Sequence, residues 1–311
     1  MDLIPDQILN NRYRILGLLG TGGMGVVYRA FHEETQRVVA LKMVCGGIML
    51  GVRGKGDRFM REIQAASRME HPHVVPIYET GRANGFPYFT MKLVDGGNLA
   101  TRRADFTLPQ RRDIEREHEL ALWWTKVVMA IQHVHEKGVL HRDLKPSNIL
   151  IDQEGEPHLA DFGLAGVLDD ESHLLTISSD MLGTPLYLAP ELASGGTKAS
   201  TVQSDIYSLG VMLYELLCGK PPFTGNTPLA VMHAAATRDP VHPQILNPGL
   251  SEDLCNIAMC CISYDPQQRY ATAAALADDL RRFVANESIV ARCVSWVDQV
   301  LKGWMVGGCC G

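Results

Sequence analysis

From residue 11 to 45, apolar and polar positions alternate with a period near two (Tyr13, Ile15, then Val26 and Tyr28), as in half-buried strands joined by hairpins. The run V-V-A-L-K-M-V at 38–44 is β-branched and predicts a strand that carries Lys42 inside it. Residues 57–69 change to helical spacing, with Phe59, Ile63 and Ala66 on one face, and stop before His71-Pro72. Strands are expected again at 74–79 and 87–94, and Gly96-Gly97 ends them. Beyond that break the helical period dominates, and helices are predicted over 114–137, 201–218, 228–237, 251–262 and 271–285. A β-rich front followed by a helix-rich back predicts two lobes with a cleft between them. No repeat or low-complexity tract interrupts the pattern.

Composition narrows the class. With 311 residues, 46% hydrophobic and 21% charged, the chain has ordinary globular usage. A net charge of −6 gives no basic surface for a nucleic acid. The longest apolar stretches, A-L-W-W-T-K-V-V-M-A-I and Y-S-L-G-V-M-L-Y-E-L-L-C, are short and carry a charge, so core helices are expected and not membrane spans. The start, M-D-L-I-P-D-Q, has neither a basic nor an apolar leader region. The 8 cysteines form no C-x-x-C pair, which predicts buried or idle thiols in a reducing cytoplasm.

Against this background, L-G-T-G-G-M-G-V-V-Y at 19–28 is unusual, because glycine weakens a strand. Peptide N–H groups that must approach a phosphate chain would explain it. Taken alone, the motif fits a tight hairpin turn equally well. Lys42, taken alone, reads as an edge or surface residue. Placed after the hairpin it could reach the same phosphates, given a carboxylate partner such as Glu62. The run H-R-D-L-K-P-S-N-I-L at 141–150 crowds His, Arg, Asp, Lys and Asn between a helix and a strand, where a loop would present them to the cleft. Asp143 can accept a proton from a hydroxyl. Lys145 can balance charge on a phosphoryl group, and Asn148 offers an amide oxygen to a metal. D-F-G follows at 161–163, and Asp161 is the hard oxygen ligand that Mg2+ prefers. Each of these residues could by itself be a turn or cap residue; in this order they are not a chance set.

The set resembles the eukaryotic-like protein kinases, and among them the bacterial Ser/Thr type. The motifs that carry the resemblance are G-T-G-G-M-G-V-V (20–27), V-A-L-K (39–42), H-R-D-L-K-P-S-N (141–148), D-F-G (161–163) and A-P-E (189–191). S-D-I-Y-S-L-G (204–210) and Arg269 in D-P-Q-Q-R-Y also fit, so the likeness covers about residues 12–284. It implies an α+β, bilobal protein-kinase-like fold, with a small β-rich N-lobe holding one key helix and a larger helical C-lobe. The implied domain spans 12–284 (N-lobe about 12–91, hinge 92–98, C-lobe 99–284), leaving 285–311 as an amphipathic tail.

The resemblance also implies the cofactors, ATP with Mg2+ and Mn2+ as a substitute, and a place for each residue. Leu19, Gly20, Thr21, Gly22, Gly23, Met24, Gly25 and Val27 would cover the nucleotide. Val27, Ala40 and Leu150 would pack on adenine, with Met91 at the back of the pocket. Main-chain groups of Lys92 and Val94 would bond the adenine edge, and Asn98 stands where an acidic residue often meets the ribose. Lys42 would hold the α- and β-phosphates and be held by Glu62. Asn148 and Asp161 would hold the metal, Asp143 would orient the attacking hydroxyl, and Lys145 would steady the γ-phosphoryl group. Asp205 would fasten the catalytic loop, and Glu191 would pair with Arg269 inside the helical lobe.

Lys145 and Thr184 resemble the Ser/Thr-specific class, so protein substrates with Ser or Thr acceptors are implied. Arg142 would meet an activation-loop phosphate, with Thr176 and Ser178 the best placed acceptors for autophosphorylation; a homodimer acting in trans would serve it. In the tail, Val297, Val300, Leu301, Trp304 and Met305 share one helical face opposite Asp298, Gln299 and Lys302. That face would dock on the kinase or a second copy, and a membrane contact is expected only through it or through a segment outside this chain. Residues 45–56 read as a loop. The rivals are a pseudokinase scaffold and a small-molecule kinase. The first normally lacks one of Lys42, Asp143, Asn148 or Asp161, and the intact G-T-P-L-Y-L-A-P-E segment argues against the second.

Overall fold

A computed structural model describes residues 3–22, 25–44, 63, 67–83, 85–161, 184–195 and 199–291. The front of the chain folds as one antiparallel sheet of β1 (Ile8–Leu9), β2 (Tyr13–Gly22), β3 (Gly25–His32), β4 (Arg37–Met43), β5 (Ile77–Ala83) and β6 (Phe86–Lys92), in the order β1-β2-β3-β4-β6-β5. Alternation decides which side is buried: Tyr13, Ile15, Tyr28, Ala30, Val39, Leu41 and Met43 close one apolar cluster on the sheet. The opposite side of β4 and β6 contributes Ala40, Phe89 and Met91 to a second cluster, which Ala160 and Leu150 of the other lobe complete. That second cluster joins the lobes.

The expected strand at 74–79 is corrected by three residues: Val74 makes only an isolated parallel bridge to Leu159, and the strand proper starts at Ile77. β6 ends at Lys92, two residues before the expected 94. At the hinge, Gly96 runs so close to the second lobe that a Cβ would stand 2.4 Å from the Asp152 carbonyl oxygen. Of the expected helix at 57–69, only Ile63 and the residues from Ser67 lie within the description, and Ser67 N–H donates to Ile63 O at 2.8 Å. Phe59, Glu62 and Ala66, the 45–56 loop, the 164–183 loop with Thr176 and Ser178, and the tail from 292 lie outside the described residues.

The second lobe is built on α1 (Ile114–Glu136), α2 (Val202–Cys218), α3 (Pro228–Thr237), α4 (Glu252–Cys261) and α5 (Ala273–Val284), with the short hairpin β7 (Ile149–Ile151) and β8 (Pro157–Leu159). Four of these five helices begin where the sequence supplies a side-chain cap. Asp113, Thr227 and Thr272 side chains accept the N–H of Arg116, Ala230 and Ala275, and Thr201 with Ser204 forms a capping box. α2 is buried on every side from Ser204 to Cys218, so its near-continuous apolar text belongs to the centre of a lobe. Among the described residues no helix is long and apolar enough to cross a membrane. The described Cys218, Cys255, Cys260 and Cys261 are buried and are not joined in disulfides; burial pushes the thiols of Cys218, up to about 12, and of Cys255 and Cys261 upward, which suits inert packing.

Arg269 locks this lobe. Its side chain is fully buried, and its five donors reach Glu191 Oε1 (2.8 Å) and Oε2 (2.9 Å) and the carbonyls of Ser263, Gln203 and Tyr264. The guanidinium also lies 4.8 Å over the Tyr207 ring. Arg269→Ala would strand the Glu191 carboxylate and three carbonyls. Urea unfolding should show a loss of about 3–5 kcal/mol, the scale for breaking a buried pair from one side. A loss below about 1 kcal/mol, as at a surface pair, would show that the lock contributes little.

Candidate active site

The glycine hairpin is formed by β2 and β3, with Gly20 facing Val27, Thr21 facing Val26 and Gly22 facing Gly25 in register. Gly23 and Met24 at its tip lie outside the described residues. Gly20 and Gly22 face open space. Gly25 has a reason of its own: its φ is +146°, and a Cβ would fall 2.1 Å from the Met43 carbonyl oxygen. Gly20 and Gly22 therefore leave room for a ligand, and Gly25 serves the approach of β3 to β4. Leu19 is exposed on the hairpin.

Beneath it lies an apolar patch of Val27, Ala40, Met91, Val94 and Leu150, from both lobes. Lys92 N–H is already given to Pro76 O at 3.1 Å, so a main-chain bond from Lys92 to a ligand falls to its carbonyl. Asn98 is partly committed as well, since its Oδ1 accepts from Thr101 N–H at 3.0 Å.

Lys42 is placed by the pairing of β4 with Phe89 of β6. Its Nζ lies 2.7 Å from Asp161 Oδ2, with the lysine side chain 7% exposed and the aspartate 22%. Glu62, the expected partner, lies outside the described residues. Desolvation pushes the Asp161 carboxyl up, but the Lys42 ammonium outweighs it and holds Asp161 below the usual carboxylate range. The pair therefore contributes stability above the unfolded carboxylate value, and loses it as pH falls through the depressed one. Asp161 also sits at φ +60°, a left-handed backbone that Asp tolerates better than most residues.

The catalytic loop is bent and pinned in the same way. Arg142 has φ +66°. Asp205, at the start of α2, accepts from Arg142 N–H at 3.0 Å through Oδ1, and from His141 N–H at 2.9 Å and His135 Nε2 at 2.8 Å through Oδ2. Burial alone would raise the Asp205 carboxyl; the His135 and His141 contacts outweigh it and hold it low. His141 Nε2 donates to Ala160 O at 3.0 Å and its Nδ1 accepts from Asp143 N–H at 3.4 Å, an arrangement that needs a neutral ring. Burial favours that form and depresses His141. His141 thus ties the loop to the residue before Asp161.

The loop brings three polar side chains together. Asp143 Oδ2 lies 2.7 Å from Lys145 Nζ and 3.2 Å from Asn148 Nδ2, and that amide also donates to Asp143 O at 2.8 Å. Asn148 O accepts from Ala160 N–H at 2.9 Å, which sets Asn148 beside Asp161. The Asn148 amide nitrogen is engaged, so its oxygen is the atom left for a cation. Asp161 Oδ1 is buried without a partner, which is costly unless a cation or donor meets it. An aspartate oxygen and an amide oxygen form a hard donor set suited to Mg2+. Among the described residues no group of three His, Cys, Asp or Glu side chains is set to hold a metal alone.

The pairing of Lys42 with Asp161, and the roles of His135 and His141, were not read from the sequence. The one signal for the histidines in the text was His141 at the head of H-R-D-L-K-P-S-N; nothing local marks His135.

The protein kinase domain family matches residues 13–280. The chain is 36% identical over 282 residues to the DNA damage-responsive serine/threonine-protein kinase RqkA of Deinococcus radiodurans, covering 89% of this chain and 40% of that protein. It is 35% identical over 281 residues to the serine/threonine-protein kinase PknB of Mycobacterium tuberculosis, covering 88% of this chain and 43% of that one. The chain thus spans about two fifths of the length of these relatives. Among solved structures, the PknI kinase domain of Mycobacterium tuberculosis superposes with a TM-score of 0.67 at 25% identity, covering 91% of this chain and 100% of that one.

Proposed function

The chain belongs to the protein kinase family, and from that premise we propose that it transfers the γ-phosphoryl group of ATP to serine and threonine hydroxyls of protein substrates. The observation that carries this reading is the convergence of Lys42, Asp161, Asn148 and Asp143 from three separate stretches of sequence onto one cleft, with Asp161 Oδ1 buried and unpartnered. When bound, Mg-ATP supplies the phosphoryl group and the cation that neutralises its oxygens.

The chain's own residues bind and orient. Lys42 presents a fixed ammonium to the α- and β-phosphates, and Val27, Ala40, Met91, Val94 and Leu150 take the adenine. Leu19 to Gly25 cover the phosphates, with Lys92 and Asn98 at the rim. Asn148 and Asp161 hold the metal, and Glu62 supports Lys42. Asp143 accepts the proton of the attacking hydroxyl while Lys145 balances charge beside it. Supporting features are the Asp205 and His141 anchors, which pre-set the loop so that little reorganises during transfer. The domain is placed at 12–284, with the hinge at 92–98 and the tail at 285–311.

Activation by phosphorylation of Thr176 or Ser178 belongs to the same proposal, in trans within a homodimer. It is supported by the buried and unpartnered Nε of Arg142. The location is placed on the cytoplasmic side, with membrane contact only through the tail or a segment outside this chain.

The test is transfer of labelled γ-phosphate, with Mg2+, to a Ser/Thr-bearing protein, to a tyrosine peptide and to metabolite acceptors, followed by mapping of the chain itself. Metal-dependent label on Ser and Thr of the protein is expected, with label also at 164–183. Nucleotide binding without transfer would favour a scaffold, and label on a metabolite alone would favour the small-molecule reading.

A further inference from the structure

Four imidazoles meet where the loop before β5 rests on the second lobe. His71 and His73 come from that loop, His133 from α1 and His158 from β8. His71 stacks on His133 with ring centroids 5.3 Å apart and planes 28° apart. His73 lies 5.8 Å from His71, and His158 lies 6.1 Å from His73. The same loop is clamped by its main chain to the strand that leads into Asp161. Leu159 N–H donates to His73 O at 2.8 Å, and Val75 N–H donates to Leu159 O at 2.9 Å.

The hydrogen bonds fix where protons can sit. His71 Nδ1 accepts from His73 N–H at 3.2 Å, so it carries no proton while the turn is closed. His73 Nδ1 donates to Pro157 O at 2.9 Å, and His158 Nε2 donates to Asp152 Oδ2 at 2.8 Å. A proton added to His71 must go to Nδ1, where it faces the His73 amide donor instead of an acceptor. It also sets a positive charge against the stacked His133 ring. Desolvation first, then His133 and His73, hold His71 below its ordinary value.

The other charged groups on these elements have their own partners or face water. Asp152 bonds His158, Lys126 pairs with Glu156, Glu136 accepts from Gln132, and His135 turns to Asp205. Arg68, Glu70 and Lys137 are exposed.

We propose that this histidine stack is an acid-sensitive joint: uncharged, it clamps the 71–75 loop to the Asp161 strand, and protonation of His71 against the stacked His133 ring releases the clamp and slows phosphoryl transfer. The clamp stands on geometry; its effect on transfer rests on the kinase reading above. A depressed imidazole means that the closed form binds fewer protons than the open one. The clamp is therefore complete above the ordinary histidine value of about 6.5 and weakens as pH falls below it.

Hydrogen exchange of the whole chain tests the clamp without an activity assay. Between about pH 7.5 and 5.5 the Val75 and Leu159 amides should lose protection, by up to about tenfold, the limit that an ordinary histidine value of about 6.5 sets at the acid end. His71→Asn keeps an acceptor for the His73 N–H but cannot charge, and should hold most of that protection at the acid end. Equal protection at both pH values in the unaltered chain, or an equal loss in His71→Asn, overturns the clamp. If His71→Asn fails to fold, imidazole titration of the unaltered chain decides. A His71 midpoint below about 6.5 supports the joint and one at or above it overturns it. Turnover measured alongside should lose its acid limb more slowly in His71→Asn; identical limbs would overturn the coupling to transfer while leaving the exchange result to judge the clamp.

Discussion

Asp161→Asn should lower turnover by about 10²–10³-fold or more, the scale seen when one preorganised charge-stabilising group is removed from an active site. The substitution keeps the volume and one acceptor oxygen beside Lys42, so the fold should persist, with some loss of stability because the 2.7 Å ion pair loses its negative partner. Far-UV circular dichroism checks the fold. Steady-state kinetics at several Mg2+ concentrations checks the chemistry: the loss should come with a weaker response to Mg2+, because the buried Asp161 Oδ1 is the oxygen assigned to the cation. Full turnover in Asp161→Asn would contradict that assignment.

Asp143→Asn should remove about 10²–10⁴-fold from turnover, as expected for a lost general base. Here the affinity for nucleotide should stay unchanged, since Asp143 faces Lys145 and Asn148 and takes no part in the adenine patch or the Lys42–Asp161 pair. The two variants therefore separate by their pattern: Asp161→Asn changes metal-dependent nucleotide binding together with rate, and Asp143→Asn changes rate alone. Equal losses of nucleotide affinity in both would indicate a collapsed cleft and not two roles.

Much of this cleft could be read from the chain because its chemistry is packed into short motifs. The helices were legible for a related reason. The helices expected at 228–237 and 114–137 match Pro228–Thr237 and Ile114–Glu136 to within one residue, and the one expected at 271–285 starts two residues later, at Ala273, where Thr272 caps it. The strands near 74–94 were harder. Val74 and Val75 are apolar because they pack toward Leu159 of the second lobe, while β5 itself passes through Glu79 and Arg82 with little alternation. β7 and β8 have three residues each, too few for a period to show.

Tertiary partners were the least legible. Lys42 and Asp161 stand in different lobes, and nothing local announces their contact. His71, His73, His133 and His158 are likewise scattered, and each would pass for an isolated polar residue in the text. Gly25 has a second reason that the text does not show, the Met43 carbonyl against which a Cβ would not fit. Close approach of two backbones leaves no mark on sequence beyond the glycine itself.

The most direct measurement is a crystal structure of this chain with Mg2+ and a non-hydrolysable ATP analogue. Lys42 Nζ should leave Asp161 for the α- and β-phosphates, with Asp161 and Asn148 oxygens on the metal and Asp143 facing the γ-phosphoryl group. A nucleotide seated elsewhere, or one bound in the cleft with Lys42 still on Asp161 and no metal at Asp161, would contradict it.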